Sequence, residues 1–477
     1  MVNVSMLNNV IRLTGLAASL VVVVGCAVTQ GRADLADLSI ENVTVVDAIN
    51  GERDNVTVIV DDGKIISIGP PMPGLQAKSI VDGTGRYVMP GLWDMHVHFV
   101  YDEILTASMA SLFLDYGITS VRDTGGDLAQ LVALRESLKR SADPSPDIYL
   151  AGPLLDGEFV VYDGGDPGRP PLGVQTADVD QARARVVELK NAGADFIKIY
   201  ELVTPAVFEA LVVEANRLSL PIAAHVPLSM TADTAGPMVG TMEHLRNVEL
   251  ACTSDWKALL EARRSALAAF DGRGYDLRAL LHGTQRIPAI NAFDATRCDE
   301  VLASLTNTIQ VPTLRLNAMR TERPFERVAW QEGFGKLPPP VRERWRAAIE
   351  SMSDEVERTF SDWSFSLVRR MNEASVPIGA GTDTPIGFGI PGESLHTELE
   401  LLVKSGLSPQ QALYAATVQP ARFFGIEDTM GQVKVGMVAD LLLLDSNPLA
   451  DISNTRSISR VMSNGKWVRF SATGERR

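Results

Sequence analysis

The sequence predicts an α/β protein, a distorted (β/α)8 TIM barrel carrying a small β-sandwich built from N- and C-terminal segments. Three observations lead there. Between residues 91 and 425 helical and strand-like segments alternate, the pattern of a parallel sheet whose crossovers are helices. At both ends of the chain the texture changes to short β-branched segments with Asp-Gly and Asn-Gly turns. Several central apolar strands end in His, Lys or Asp, residues that a barrel gathers over one mouth. An open doubly wound sheet is the alternative, but no GxGxxG follows the first strand, which disfavours a dinucleotide fold.

Taken in order, the chain begins with a segment that is set aside from the fold. Arg12 is followed by LTGLAASLVVVV, an apolar run too short to span a bilayer comfortably, and then by Gly25-Cys26. A charged start, a short apolar stretch and a small residue before the break read as a secretory signal over residues 1–25. Val23-Val24-Gly25-Cys26 resembles a bacterial lipobox. That likeness implies a lipid on Cys26 and an exported chain facing the periplasm, held to the membrane only through the anchor. Plain secretion is the alternative. Residues 35–90 and 426–472 then supply the sandwich, with LSIENVTVVDA and NVTVIVDDGKIISIG answered by MVADLLLLD and SRVMSNGKWV.

The barrel occupies residues 91–425. Its strands are read in WDMHV, GITSVRD, ADFIKIY, LPIAAH, VGTMEHL, TIQVPTL and VPIGAGTD, with helices such as QARARVVELKNAG, PAVFEALVVEANRLS and SLHTELELLVKSG between them. From His244 to Asp383 is 139 residues, far more than two βα units need. The excess lies at about 250–305 and again near 320–345, and extra chain after a barrel strand is loop on the face where active sites sit.

The chain has 477 residues, 45% hydrophobic and 22% charged, with a formal net charge of −15. That suits one large domain plus a smaller one, and with no lysine- or arginine-rich run standing out, the charge pattern argues against nucleic acid as a partner. With Cys26 lipidated, Cys252 and Cys298 are the cysteines left, and in an oxidising compartment they are expected to form a disulfide bracketing the long insertion.

The chemistry lies in the strand ends. His96 and His98, two apart on a strand, share a face. Lys198 interrupts FIKIY, where a charge is expensive. His225 ends PIAAH, His244 ends TMEH and Asp383 ends IGAGTD, so four of the six histidines are used this way. Imidazoles and a carboxylate can hold one or two divalent ions, zinc among them. A buried lysine loses its proton readily, and the neutral amine can capture carbon dioxide as a carbamate. Metal-activated hydroxide is then available at neutral pH, with Asp383 to orient it and pass its proton to a leaving amine.

HxH, a lone strand lysine, two later histidines and a strand-ending aspartate, in that order, resemble the amidohydrolase superfamily in its binuclear subtype. GITSVRDTGG, IKIY, EHL, VPTL, GTDTP, LHTELELLVKSGLSPQQALYAAT and GQVKVGMVADLLLLDSNPLADI are similar to its imidazolonepropionase-like and prolidase-like branch. The resemblance implies two divalent metal ions, with His96, His98 and Asp383 on one, His225 and His244 on the other, and N6-carboxylated Lys198 between them. It also implies hydrolysis of an amide rather than deamination. The one-metal deaminase pattern lacks the lysine and has an acid soon after the fifth-strand histidine, where this chain has Val226-Pro227-Leu228-Ser229. A dipeptide or N-acyl amino acid is the expected small-molecule substrate. A lactonase or phosphotriesterase on the same site, and a metal- or ligand-binding surface lipoprotein without turnover, are the alternatives. Tyr200, Arg246 and Arg122 are candidate substrate contacts, Arg122 with an internal ion pair as its other reading. His396 is read as a cap or support, and His282 has no role assigned.

Overall fold

The computed structural model of the protein describes residues 35–70, 76–166 and 168–468. The signal segment and Cys26 lie outside the described residues. Among those described, no helix is long and apolar enough to cross a membrane.

Before the barrel come β1 (Ala36–Asp47), β2 (Gly51–Asp61), β3 (Lys64–Gly69), β4 (Ala77–Asp82) and β5 (Tyr87–Pro90). The barrel strands are β6 (Leu92–Val97), β7 (Ile118–Asp123), β8 (Asp147–Leu150), β9 (Leu154–Asp156), β11 (Ile197–Ile199), β12 (Ile222–Ala224), β13 (Thr241–Glu243) and β14 (Ile309–Val311), with the short β10 (Gly173–Gln175) beside β9. After it come β15 (Leu441–Leu444), β16 (Ile458–Ser463) and β17 (Lys466–Trp467).

The two ends of the chain form one sheet, ordered β17-β16-β15-β5-β1-β2-β3 with β4 also on β1. It rolls over on itself, because Ile65 N donates to Met437 O (2.9 Å) and Ala439 N to Gly63 O (2.8 Å). The expected sandwich is thus built from one continuous hydrogen-bonded sheet folded over around its own core of residues such as Ile40, Val45, Val60 and Ile65. The run Leu441–Leu444 explains how the sheet meets the barrel. Successive side chains on a strand point to opposite faces, so Leu441 and Leu443 pack in the sheet's core while Leu442 and Leu444 join the barrel's.

In the barrel, β6 pairs in parallel with β7 and β7 with β8. A break at residues 151–153 divides the third strand, and its continuation β9 pairs with β11. From there β11, β12, β13 and β14 run in parallel. The ring closes through residues 377–384, which lack a regular ladder but bond on both sides. Gln310 N donates to Pro377 O (2.8 Å), Met95 N to Ala380 O (2.9 Å) and His98 N to Thr384 O (2.8 Å). The crossover helices start at side chains that satisfy their first amides: Asp102, Asp127, Asp178 and Thr204 each accept from an N–H of the first turn.

The excess chain after β13 forms a helical hairpin, Trp256–Ala269 and Gly274–Asn291. Cys252, before the hairpin, is disulfide-bonded to Cys298 in the helix that follows it. A second excursion after β14 holds the helices Val328–Gly335 and Pro339–Glu350.

Candidate metal centre

The strand ends meet over one mouth. His96 is the penultimate residue of β6 and His98 follows the strand, Lys198 is the middle residue of β11, His225 and His244 directly follow β12 and β13, and Asp383 lies next to the end of the closing segment. All are buried. His244 and Asp383 have φ of 61° and 60°, and Thr313 past β14 has 47°, left-handed values that residues other than glycine seldom adopt. At these positions the backbone turns out of its strand direction, which aims the side chains inward.

His98 Nε2 lies 3.1 Å and His96 Nε2 3.3 Å from Asp383 Oδ1, and His244 Nε2 lies 4.0 Å from Asp383 Oδ2. The rings of His96 and His244 are 4.5 Å apart and those of His244 and His225 4.8 Å. Among the described residues, the group whose donor atoms all lie within 4.8 Å of one another is His96, His244 and Asp383. It straddles the two ion sets expected from the sequence.

The donors fit a divalent cation. Each histidine has its Nδ1 engaged elsewhere: His96 with Glu243 Oε2 (2.7 Å), His98 with Gly125 O (3.0 Å), His225 with Glu201 Oε1 (2.6 Å) and His244 with Thr313 Oγ1 (2.7 Å). Such partners fix the ring and leave Nε2 as the free lone pair. Burial lowers the pKa of His96 to about 4 and of His225 to about 3, and it holds His244 well below the usual histidine range, so these rings stay neutral. At His98 burial works the same way, but the hydrogen bond and charge of Asp383 and the charge of Asp123 outweigh it and raise the pKa. Burial alone would raise Asp383; His96, His98 and Arg315 bring it down to about 2. Lys198 Nζ is buried without a hydrogen-bond partner, and desolvation lowers its pKa to about 8 against the pull of Glu243.

The cluster floors a cavity of about 290 Å³, lined also by Tyr162, Tyr200, Arg246, Arg278 and Arg286. Tyr200 packs on the His225 ring at 4.5 Å. Tyr200 and Arg246 thus reach the cavity. Arg122 does not, and its candidate substrate role is corrected here. It is fully buried inside the barrel, bonded to Met95 O, Thr241 Oγ1 and Glu243 Oε1, with its guanidinium over the Phe423 ring. It supports Glu243, which in turn holds His96. His396 bonds Tyr116 O and Thr455 Oγ1, away from the cavity.

His282 has a role that the sequence reading missed. Its Nε2 lies 2.6 Å from Glu201 Oε2, and the other oxygen of Glu201 holds His225. Arg278, His282 and Arg286 lie four residues apart on the helix Gly274–Asn291, a spacing that puts them on one face. That spacing was visible in the chain; the target of the face was not.

Residues 364–468 match the Amidohydrolase family. The adenine deaminase of Desulforamulus reducens is 28% identical over 121 residues, 25% of this chain, and the chain spans only 20% of that relative's length. The imidazolonepropionase of Flavobacterium johnsoniae is 19% identical over 418 residues, 82% of this chain and 85% of the relative. A crystal structure of a Xaa-Pro dipeptidase with bound methionine shares the fold at a TM-score of 0.64 and 19% identity, over 90% of this chain and 99% of that one. The family match lies on the last barrel units and the returning sheet; across the rest of the chain the likeness to the imidazolonepropionase and to the dipeptidase structure is one of fold.

Proposed function

We propose that this protein is a metal-dependent hydrolase of carbon–nitrogen bonds whose substrate carries a carboxylate on the amine side of the amide, as a dipeptide or N-acyl amino acid does. The observation that carries the reading is the placing of inward-facing imidazole nitrogens and Asp383 directly beside a wall of arginines. His96, His98, His225, His244 and Asp383 would hold zinc or a similar ion. The unpartnered Lys198 amine is suited to bridge a second ion once carboxylated. A bound divalent ion supplies Lewis acidity and makes water a nucleophile at neutral pH.

The chain's own residues then divide the work. Asp383, ionised, accepts the proton of the attacking water at a carboxylate oxygen and delivers it to the leaving nitrogen. Burial keeps the Tyr200 hydroxyl protonated, so it can donate to the oxygen of the scissile carbonyl. The guanidinium of Arg246, whose Nε is buried without a partner, receives the substrate carboxylate.

The test is a zinc-reconstituted sample assayed against dipeptides, N-acyl amino acids, lactones, phosphotriesters and adenine, with metal content measured. Turnover confined to amides bearing the carboxylate is expected. Preference for lactones or phosphotriesters would reassign the site to ester cleavage, and ammonia release from adenine would reassign it to deamination. Bound metal without turnover on any panel would leave a binding protein.

A further inference from the structure

We propose that the acyl side of the substrate is a bulky apolar group, seated in a second cavity that adjoins the metal-capable one; this rests on the amide-hydrolase reading above. The second cavity measures about 740 Å³ and is lined by Tyr101, Ile104, Pro171, Trp345, Ile386 and Phe388 among others. Ile386 walls both cavities and lies three residues beyond Asp383.

The arginines of the inner cavity orient the substrate. Arg278 stands 5.9 Å over the Tyr200 ring and 3.2 Å from Glu201, just beyond β11. The second cavity is built from the chain after β6, the loop between β9 and β10 and the stretch after the closing segment, with Trp345 from the second excursion. Arg246, Arg278 and Arg286 line the inner cavity and not the second, and Ile386 is the wall the two share, so a carboxylate held by the arginines places the amide over the histidines and sends the acyl group toward Ile386.

Charge and size then select the group. The arginines of the second cavity are committed: Arg344 pairs with Asp102, and Arg169 pairs with Asp166 at 3.2 Å while stacking 3.5 Å over the Tyr275 ring. Ile104, in the first turn of its helix, keeps 44% of its surface exposed at the rim. Binding cavities for whole small ligands run to roughly 300–1,000 Å³. A space of about 740 Å³ beside the inner one is thus far larger than one amino-acid side chain needs. An acyl chain of medium length or a fused aromatic acyl group fits that chemistry.

The experiment uses one amino acid carrying acetyl, octanoyl or 1-naphthoyl groups, beside dipeptides, with the full zinc-loaded chain. We expect kcat/KM to rise at least about tenfold from acetyl to the bulky acyl groups, since each methylene moved out of water is favourable. Calorimetry on the metal-free chain should show the octanoyl compound binding at least about tenfold more tightly than the acetyl one. Ile104→Asp, on a half-exposed helical position that tolerates charge, should cut both ratios several-fold. Flat ratios, or dipeptides outrunning the bulky substrates, would overturn the acyl cavity and leave the amide hydrolase standing. Failure of every amide would overturn both.

Discussion

Lys198 is the residue on which the proposed two-ion chemistry turns. An ammonium among four imidazoles would repel metal ions, whereas a carbamate brings negative charge and two hard oxygens. Lys198→Ala should fold, lose at least about a hundredfold in kcat and bind fewer metal ions, because a bridging ligand is gone. Added acetate or propionate should restore part of the rate by filling the vacated space. Lys198→Arg should be inactive, since a guanidinium stays protonated. Either variant keeping wild-type turnover and metal content would make Lys198 structural. His282 acts at one remove, through Glu201 onto His225. His282→Ala should lower kcat and weaken zinc affinity together by about tenfold or more, as loss of a partner behind a ligand does. Zinc affinity read by chelator competition separates this from a packing effect, which would lower stability and leave affinity unchanged.

Among the elements, the hairpin after β13 matters most, because Arg278, His282 and Arg286 come from it rather than from the barrel. Its base is tied by Cys252–Cys298, which closes a loop of 46 residues. In the chain-entropy model such a closure contributes about 4 kcal/mol. Replacing both cysteines by alanine should lower the melting temperature measurably and raise KM for carboxylate substrates more than it lowers kcat. An unchanged KM would mean that the barrel alone positions the arginines. The hairpin was legible as excess length and as a cysteine pair. Its aim was not, because no periodicity within a helix says which neighbour its polar face meets.

For the whole molecule, the junction of the curled sheet with the barrel carries its own pH dependence. Asp440 enters that junction just before β15, accepting from Asn464 N at 2.6 Å, with its backbone oxygen taking Gly91 N at 2.8 Å. Burial, reinforced by the charge of Asp147, raises its pKa from 3.8 to about 7. The folded state therefore holds a proton that the unfolded chain releases. Below the ordinary value nothing is lost; stability falls as pH rises toward the folded value, and beyond it the loss is constant. Asp440→Asn should stabilise the protein by up to about 4 kcal/mol at pH 8 and by nearly nothing at pH 3.5. Denaturant melts at those two pH values measure it, and equal gains at both would contradict the linkage.

The sequence by itself determined the elements and the donor set. Period-two β segments at the two ends, the alternation between them, and polar residues closing apolar strands are local patterns, each written within a few residues. Tertiary structure alone decided how those parts combine. It set Arg122 beneath the site instead of in it, because a strand's parity says inward or outward but not how deep. It gave the four-leucine run two cores at once, and joined the strands of the sandwich into one sheet that folds over on itself. It also turned an insertion helix into a wall of the metal-capable cavity. Contacts between residues eighty or more positions apart, such as His282 with Glu201, depend on where whole elements pack, and no local pattern encodes that.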